Sequence, residues 1–402
     1  MMTISCKNSG DHSTETTAGN SDTISGSFGH DLRFLQKQDD SLIVLKSADE
    51  NAQVIVSPKY QAKVFTSTAD GNSGQSFGWV NYKAFNGTLD AHMNAYGGEN
   101  RFWLGPEGGK FSLFFKPGTK MVFDNWKTPA AYDSEAWDIV SEGATSVTLK
   151  KIMHLTNYAG AALEILVNRV VSIMDTAAIA QDLGITLNDS IKAVGYTTEN
   201  KITNIGQQAW TEKTGMPCIW ILDMFRPSPS TVIVVPFKKT DEKDFASVAT
   251  TDYFGQIPAD RLKHNDHVLF LKADGKSRGK LGVVPAKAPE MIGSYDPEHK
   301  VLTVLKFDID SSAKYLNQEW NTAKPSFDGD AVNAYNDGPL ADGSQMGPFY
   351  EMESVSPAAF LKPTQSLTHK QSVFHFTGSE AALDKLSQQL LGVSVEEIKH
   401  AF

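Results

Sequence analysis

Two glutamates, Glu351 and Glu353, stand one residue apart in the run YEMES. If that run is a strand, both point to one face while Tyr350, Met352 and Ser354 point to the other. On a concave, water-poor face two such carboxylates repel, which raises the pKa of one and suits it to proton transfer. On an open face both are simply hydrated. Two further stretches gather polar and aromatic side chains where loops or strand ends belong. SFGWVNYKAFNGTLDAHMNAYGGENRFWLGPEGG supplies Asn81, His92, Asn100, Arg101, Trp103 and Glu107, and NQEWNTAKPSFDGDAVNAYNDGP supplies Trp320, Asn333, Asn336 and Asp337. His369 follows YEMES in a third zone. A pyranose has apolar C–H faces and a rim of hydroxyls, so its site needs an aromatic plate and a ring of Asn, Asp, Glu, Arg or His. Each residue taken singly reads equally as a core anchor or turn former; gathered in three zones, they read as a sugar site.

Other chemistries fit less well. GGENRFWLGPEGG, residues 97–109, is no phosphate loop: it has no Gly-Lys-Ser/Thr and does not lead from a strand into a helix. DGDAVNAYNDG lacks the spacing and the twelfth-position glutamate of an EF-hand. His264 and His267 are three apart with no third ligand nearby. Cys218 reads as a small buried hydrophobe, so neither a metal nor a cofactor is expected. The 402 residues are 41% hydrophobic and 21% charged with a net charge of -10, and their basic residues are scattered rather than striped. A nucleic-acid partner is therefore not expected. No run of about 18 apolar residues exists, so no transmembrane segment is expected.

The elements that must position these residues are mainly strands. From Phe28 to Phe376, runs such as SLIVLK, FSLFFKPG, LEILVNRVVSIM, KAVGYTTENKITNI, PCIWILDMF and STVIVVPFK alternate with Gly, Pro, Asn and Asp, which predicts about fourteen strands in a large all-β sandwich or barrel. GGENRFWLGPEGG fits neither a helix nor a clean strand. DTAAIAQDLGI has room for a short helix. Two helices close the chain within residues 379–402. The first starts on Ser379, aligns Leu383, Leu386 and Leu390 and stops at Gly392; the second carries the capping box Ser394 and Glu397. Residues 28–402 read as one β domain, and residues 1–27 as a polar tether too poor in apolar side chains to fold. Within the tether, ISC at Cys6 resembles the end of a bacterial lipobox. A lipid anchor and a periplasmic or outer-membrane location are expected, with a cytoplasmic protein as the alternative.

Four stretches together, GGENRFWLGPEGG, YTTENKITNIGQQAWTEKTGMPCIWILDMF, GDAVNAYNDGP and FYEMESVSPAAFLKPTQSLTH, resemble the galactose mutarotase-like (aldose 1-epimerase-like) superfamily. Within it the chain resembles a Bacteroides-type bacterial family of unknown function. The resemblance implies a supersandwich of two large antiparallel sheets, with a sugar site on a concave sheet face. It implies Glu351 or Glu353 as the base that takes the anomeric hydroxyl proton, and Asn100 with Arg101 as holders of substrate hydroxyls. The family's acid is a mid-chain histidine, but the comparable stretch here reads ITNIGQQAW, which leaves His92 as the candidate, ahead of His154 in the strand run KKIMHLTN. The expected function is binding of a sugar or oligosaccharide, with or without aldose epimerase activity. The alternatives are a non-catalytic interaction module of a polysaccharide-uptake system, and a uronate-directed lyase in which Arg101 neutralises the substrate carboxylate.

Overall fold

The computed structural model describes residues 24–239 and 246–402, so Cys6 and nearly all of the tether lie outside the described residues. Three antiparallel sheets carry these residues. One small sheet consists of β1 (Ile43–Lys46), β2 (Gln53–Ser57) and β3 (Lys63–Thr68). Six strands form the second, in the order β11 (Ala249–Thr250), β14 (Gly279–Val283), β17 (Val332–Asn336), β18 (Tyr350–Val355), β9 (Cys218–Phe225) and β4 (Arg101–Gly105). Ten strands form the third. Their order is β12 (Leu262–His264), β13 (Val268–Lys272), β10 (Val232–Pro236), β15 (Met291–Asp296), β16 (Val301–Phe307), β19 (Ser366–Thr377), β8 (Lys192–Asn204), β7 (Ala162–Met174), β6 (Ser146–Thr156) and β5 (Asp138–Glu142).

The small sheet joins the six-stranded one through a bridge in which Val64 and Asn100 exchange N–H···O bonds of 3.0 and 3.1 Å. Together they form one layer against the ten-stranded sheet, and the expected pair of large sheets is thus built from three. The main core lies between the layers. On β7, Leu163, Ile165, Val167, Val171 and Ile173 turn inward in strict alternation, the period-two pattern of a strand with one buried face. Arg169 interrupts that stripe and is fully buried. Its Nε donates to the Ala62 carbonyl at 3.0 Å, and its other nitrogens donate to Asn100 and Asn200.

Helices cover the outer faces. The described residues open not with a strand but with α1 (Phe28–Gln36), capped by Ser27, which packs Phe28 and Leu35 on Ile55 and Phe65 of the small sheet. FSLFFKPG forms no strand either: Phe111, Leu113, Phe114 and Phe115 are buried from an irregular loop. α2 (Thr176–Leu183) starts on Asp175 and ends at Gly184 in the left-handed region. α3 (Glu380–Leu391) runs from Ser379 to Gly392, and α4 (Val395–Lys399) carries the Ser394–Glu397 capping box. Leu383, Leu386 and Leu390 of α3 pack in one cluster with Val232, Val234, Tyr295, Leu302 and Val304 of the ten-stranded sheet. Among the described residues no helix is long and apolar enough to cross a membrane.

Candidate functional site

The outward face of the six-stranded sheet forms the floor of a cleft. Register decides which side chains meet there. Lys280 of β14 lies across from Tyr335 of β17, Tyr335 from Glu351 of β18, and Glu351 from Met224 of β9. The next row holds Asn333, Glu353, Leu222 and Arg101, and Trp220 is opposite Trp103 beyond it. Loops supply the walls: Glu107 after β4, Phe123 and Trp126, Tyr253 and Phe254, Trp320, and Met346. An inner space of about 140 Å³ above Arg101 and Glu351 continues past Glu107, Lys280 and Trp320 into an outer trough of about 640 Å³.

Charge on the floor is arranged in two pairs. Arg101 Nη2 bonds Glu351 Oε1, and its guanidinium lies 5.2 Å from the Trp103 ring centre. Arg101 Nε has no hydrogen-bond partner, although the residue is only 4% exposed. Glu353 is fully buried, and its Oε2 accepts from Trp220 Nε1 and from Lys280 Nζ, both at 2.8 Å. Lys280 also sits 4.8 Å from the Trp220 ring centre. Glu353 therefore secures the floor from below, while Glu351 faces the space. Burial pushes the Glu351 carboxyl up to about 7; Arg101 and Lys280 oppose that rise, and Glu353 and Asp337 reinforce it. Burial raises Glu107 as well, opposed by Lys280 and by the neighbouring Trp320 and Trp126 indoles.

Toward the trough, Tyr335 Oη donates to Asp337 Oδ1 at 3.0 Å, and the Gly347 N–H holds Asp337 Oδ2 at 2.8 Å. Tyr253 Oη donates to Asp330 Oδ2 at 2.6 Å, and burial pushes Asp330 up to about 6. Arg278 is exposed at the mouth, its guanidinium 3.8 Å from the Phe254 ring centre.

Of the residues expected from sequence, Arg101, Trp103, Glu107, Trp320, Asp337 and Glu351 line this cleft. Glu353 and Asn333 share its sheet face but lie beneath the lining, 0% and 1% exposed. Strand parity turns Asn100 and Asn336 elsewhere, and His369 lies on β19 of the other large sheet. Asn100, one residue from Arg101, points into the core and donates to Asp223 Oδ1 at 2.7 Å. Asn336 accepts from the Gly275 N–H and donates to the Ser277 carbonyl, each at 2.9 Å. His369 meets Ser354 Oγ at 2.8 Å between the sheets, where burial pushes its pKa down to about 4. Asn81 donates to the Ala95 carbonyl at 2.9 Å, outside the lining. His92 stands one ring behind the wall, stacked on Phe123 at 4.5 Å with Nδ1 2.7 Å from the Trp126 carbonyl oxygen. Among the described residues no histidine lines the cleft. Arg101, the residue assigned to a substrate carboxylate in the lyase alternative, is paired with Glu351.

Residues 26–402 match DUF6786, described as a family of unknown function. The chain belongs to that family. No curated protein matches the DUF6786 chain in sequence. Solved structures match its fold. One is a candidate aldose 1-epimerase from Escherichia coli K12, with a TM-score of 0.50 at 12% identity over 83% of this chain and 98% of that one. Another is a galactose mutarotase-like protein from Lactobacillus casei ATCC 334, with a TM-score of 0.50 at 10% identity over 83% of this chain and all 100% of the other. This DUF6786 member therefore has the galactose mutarotase-like fold.

Sequence reasoning missed Trp126, Trp220, Arg278, Lys280 and Tyr335 of the DUF6786 cleft. The lysine of GKLGVV is the one usable signal, since a lone charge in an otherwise apolar strand must find a partner. Gly275–Gly279 spells Gly-x-Ser-x-Gly, but it connects β13 to β14 with no helix following, so it is no nucleophile elbow. Among the described residues no group of three His, Cys, Asp or Glu side chains is placed to hold a metal.

Proposed function

We propose that the cleft binds a reducing sugar, alone or as the end of an oligosaccharide, and that Glu351 is the base at its anomeric carbon. The observation that carries this reading is the placement of Glu351 beside Arg101 on a floor flanked by Trp103, Trp126, Trp220 and Trp320. Indole faces suit the C–H faces of a pyranose, and a buried carboxylate with a pKa near neutrality suits proton transfer at neutral pH. The trough beyond Trp320 has room for sugar units attached to the first. Calorimetry with monosaccharides and reducing oligosaccharides tests binding. Polarimetry of freshly dissolved α-anomers tests catalysis, with Glu351→Gln expected to slow mutarotation about a hundredfold or more. Absence of binding by every sugar at millimolar concentration sinks the reading. The lipid anchor at Cys6, with the periplasmic or outer-membrane location it brings, is part of this proposal; palmitate labelling that persists in Cys6→Ser would refute it.

A further inference from the structure

We infer that Glu107 is the proton donor of this site, acting on the sugar ring oxygen while Glu351 acts on the anomeric hydroxyl. This rests on the reading of the cleft as a reducing-sugar site and supplies the acid for which the sequence offers no histidine.

Glu107 and Glu351 are the two carboxyl residues lining the inner space. Glu107 reaches it from the loop that leaves β4 at Gly105, and that loop is fixed at its base. The Glu107 N–H donates to Gln318 Oε1 at 2.6 Å, and a Cβ on Gly108 would come within 2.1 Å of the Glu319 carbonyl oxygen. The backbone thus lies directly on the Trp320 loop, a closeness that only glycine permits. The two carboxyls differ in their partners. Glu351 holds the Arg101 guanidinium, which favours its charged form. Glu107 has indoles against it, and the nearby Lys280 charge acts on it from a distance, being bonded to Glu353. Burial raises its pKa, as it does that of Glu351, so both carboxyls can exchange a proton near neutral pH.

The other acids near the cleft are engaged. The Tyr335 hydroxyl is committed to Asp337, and burial raises its pKa far beyond use. Lys280 is spent on Glu353 and Trp220. His92 is screened by Phe123 and held at Nδ1 by the Trp126 carbonyl.

The step balances without a co-reactant. Glu351 carboxylate takes the proton of the C1 hydroxyl, the C1–O5 bond breaks with its electron pair moving to O5, and Glu107 gives O5 its proton. The open-chain aldehyde rotates about C1–C2. Glu107 carboxylate then takes the proton back as O5 attacks the other face of C1, and Glu351 returns its proton to O1.

The test uses the whole chain with freshly dissolved α-D-galactose, α-D-glucose and α-lactose, followed by polarimetry and by calorimetry. Glu107→Gln is expected to bind sugar as the wild type does, to lose about a hundredfold in rate, and to lose one limb of a bell-shaped pH profile. His92→Asn is expected to keep the wild-type rate. Should Glu107→Gln fold poorly, Glu107→Ala assayed with added formate serves instead: recovery of rate supports a proton-transfer role that a merely structural residue would not show. A wild type that binds sugar without accelerating mutarotation overturns the assignment. So does a Glu107→Gln variant at wild-type rate, or a loss confined to His92→Asn. Failure of the wild type to bind any of the three sugars removes the sugar-site reading itself, a separate result.

Discussion

At the scale of residues, the floor of the cleft stands on one buried ion pair. Lys280 and Glu353 are 7% and 0% exposed at their side chains and meet at 2.8 Å. Desolvating two charges offsets most of their attraction, so the pair adds little net stability, but removing one partner strands the other in a dry site. Lys280→Met is expected to cost about 3–5 kcal/mol in urea denaturation, and Lys280→Met with Glu353→Leu to cost clearly less. Equal losses would show that the pair does not act as a unit. His369 makes a second prediction. Its folded pKa is pushed down to about 4, so the folded state keeps it neutral while the unfolded chain takes up a proton below its ordinary value of 6.5. Its contribution is whole at neutral pH and is lost as the pH falls from about 6.5 toward 4. His369→Gln should therefore flatten the decline in stability between about pH 7 and 5 by something on the order of 2 kcal/mol. An unchanged slope would mean that His369 is not the group responsible.

At the scale of elements, legibility followed contrast. β7 could be read from sequence because its two faces differ, one apolar and one polar. The helix α4 could be read from its capping box, and α3 from its caps and its leucine face. β4 was unreadable as a strand because it is buried on both faces: Arg101 and Trp103 face the cleft, Phe102 and Leu104 face the core, and no polar alternation survives. β17 was hidden the same way, with Asn333 and Tyr335 on one side and Ala334 and Asn336 on the other. The cleft was legible where an irregular loop or a paired-carboxylate motif marked it, as with Glu107 and Glu351. It was illegible where strand parity decided, as with Asn100 and Asn336, or sheet membership, as with His369 on β19 of the ten-stranded sheet. The Pro106–Gly109 turn is the element that most directly serves the site. Gly108→Ala would drive a Cβ to 2.1 Å from the Glu319 carbonyl oxygen and 2.7 Å from the Trp320 amide nitrogen. The loops bearing Glu107 and Trp320 must then part. The expected outcome is a loss of about 1–3 kcal/mol of stability with a fall in sugar affinity; affinity equal to wild type by calorimetry would show that this contact does not set the site.

At the scale of the whole molecule, the two outer surfaces have different work. The six-stranded sheet leaves its outward face open as the cleft floor, whereas α3 and α4 close part of the outward face of the ten-stranded sheet. Those helices bury Leu383, Leu386, Leu390, Leu391, Val395 and Ile398 in a cluster separate from the main core. At about 1.5–3 kcal/mol for each buried aliphatic side chain, their loss rivals the entire stability of a globular protein, about 5–15 kcal/mol. A chain ending at Gly378 should therefore fail to fold and bind a hydrophobic dye through the uncovered Val234, Leu302, Val304, Phe374 and Phe376. The milder Leu386→Ala should cost about 2–5 kcal/mol yet leave sugar affinity untouched under conditions where the protein stays folded, because the main core separates this surface from the cleft. A Leu386→Ala variant with wild-type stability but weakened sugar binding would reverse that separation and show that the helices support the site rather than the fold.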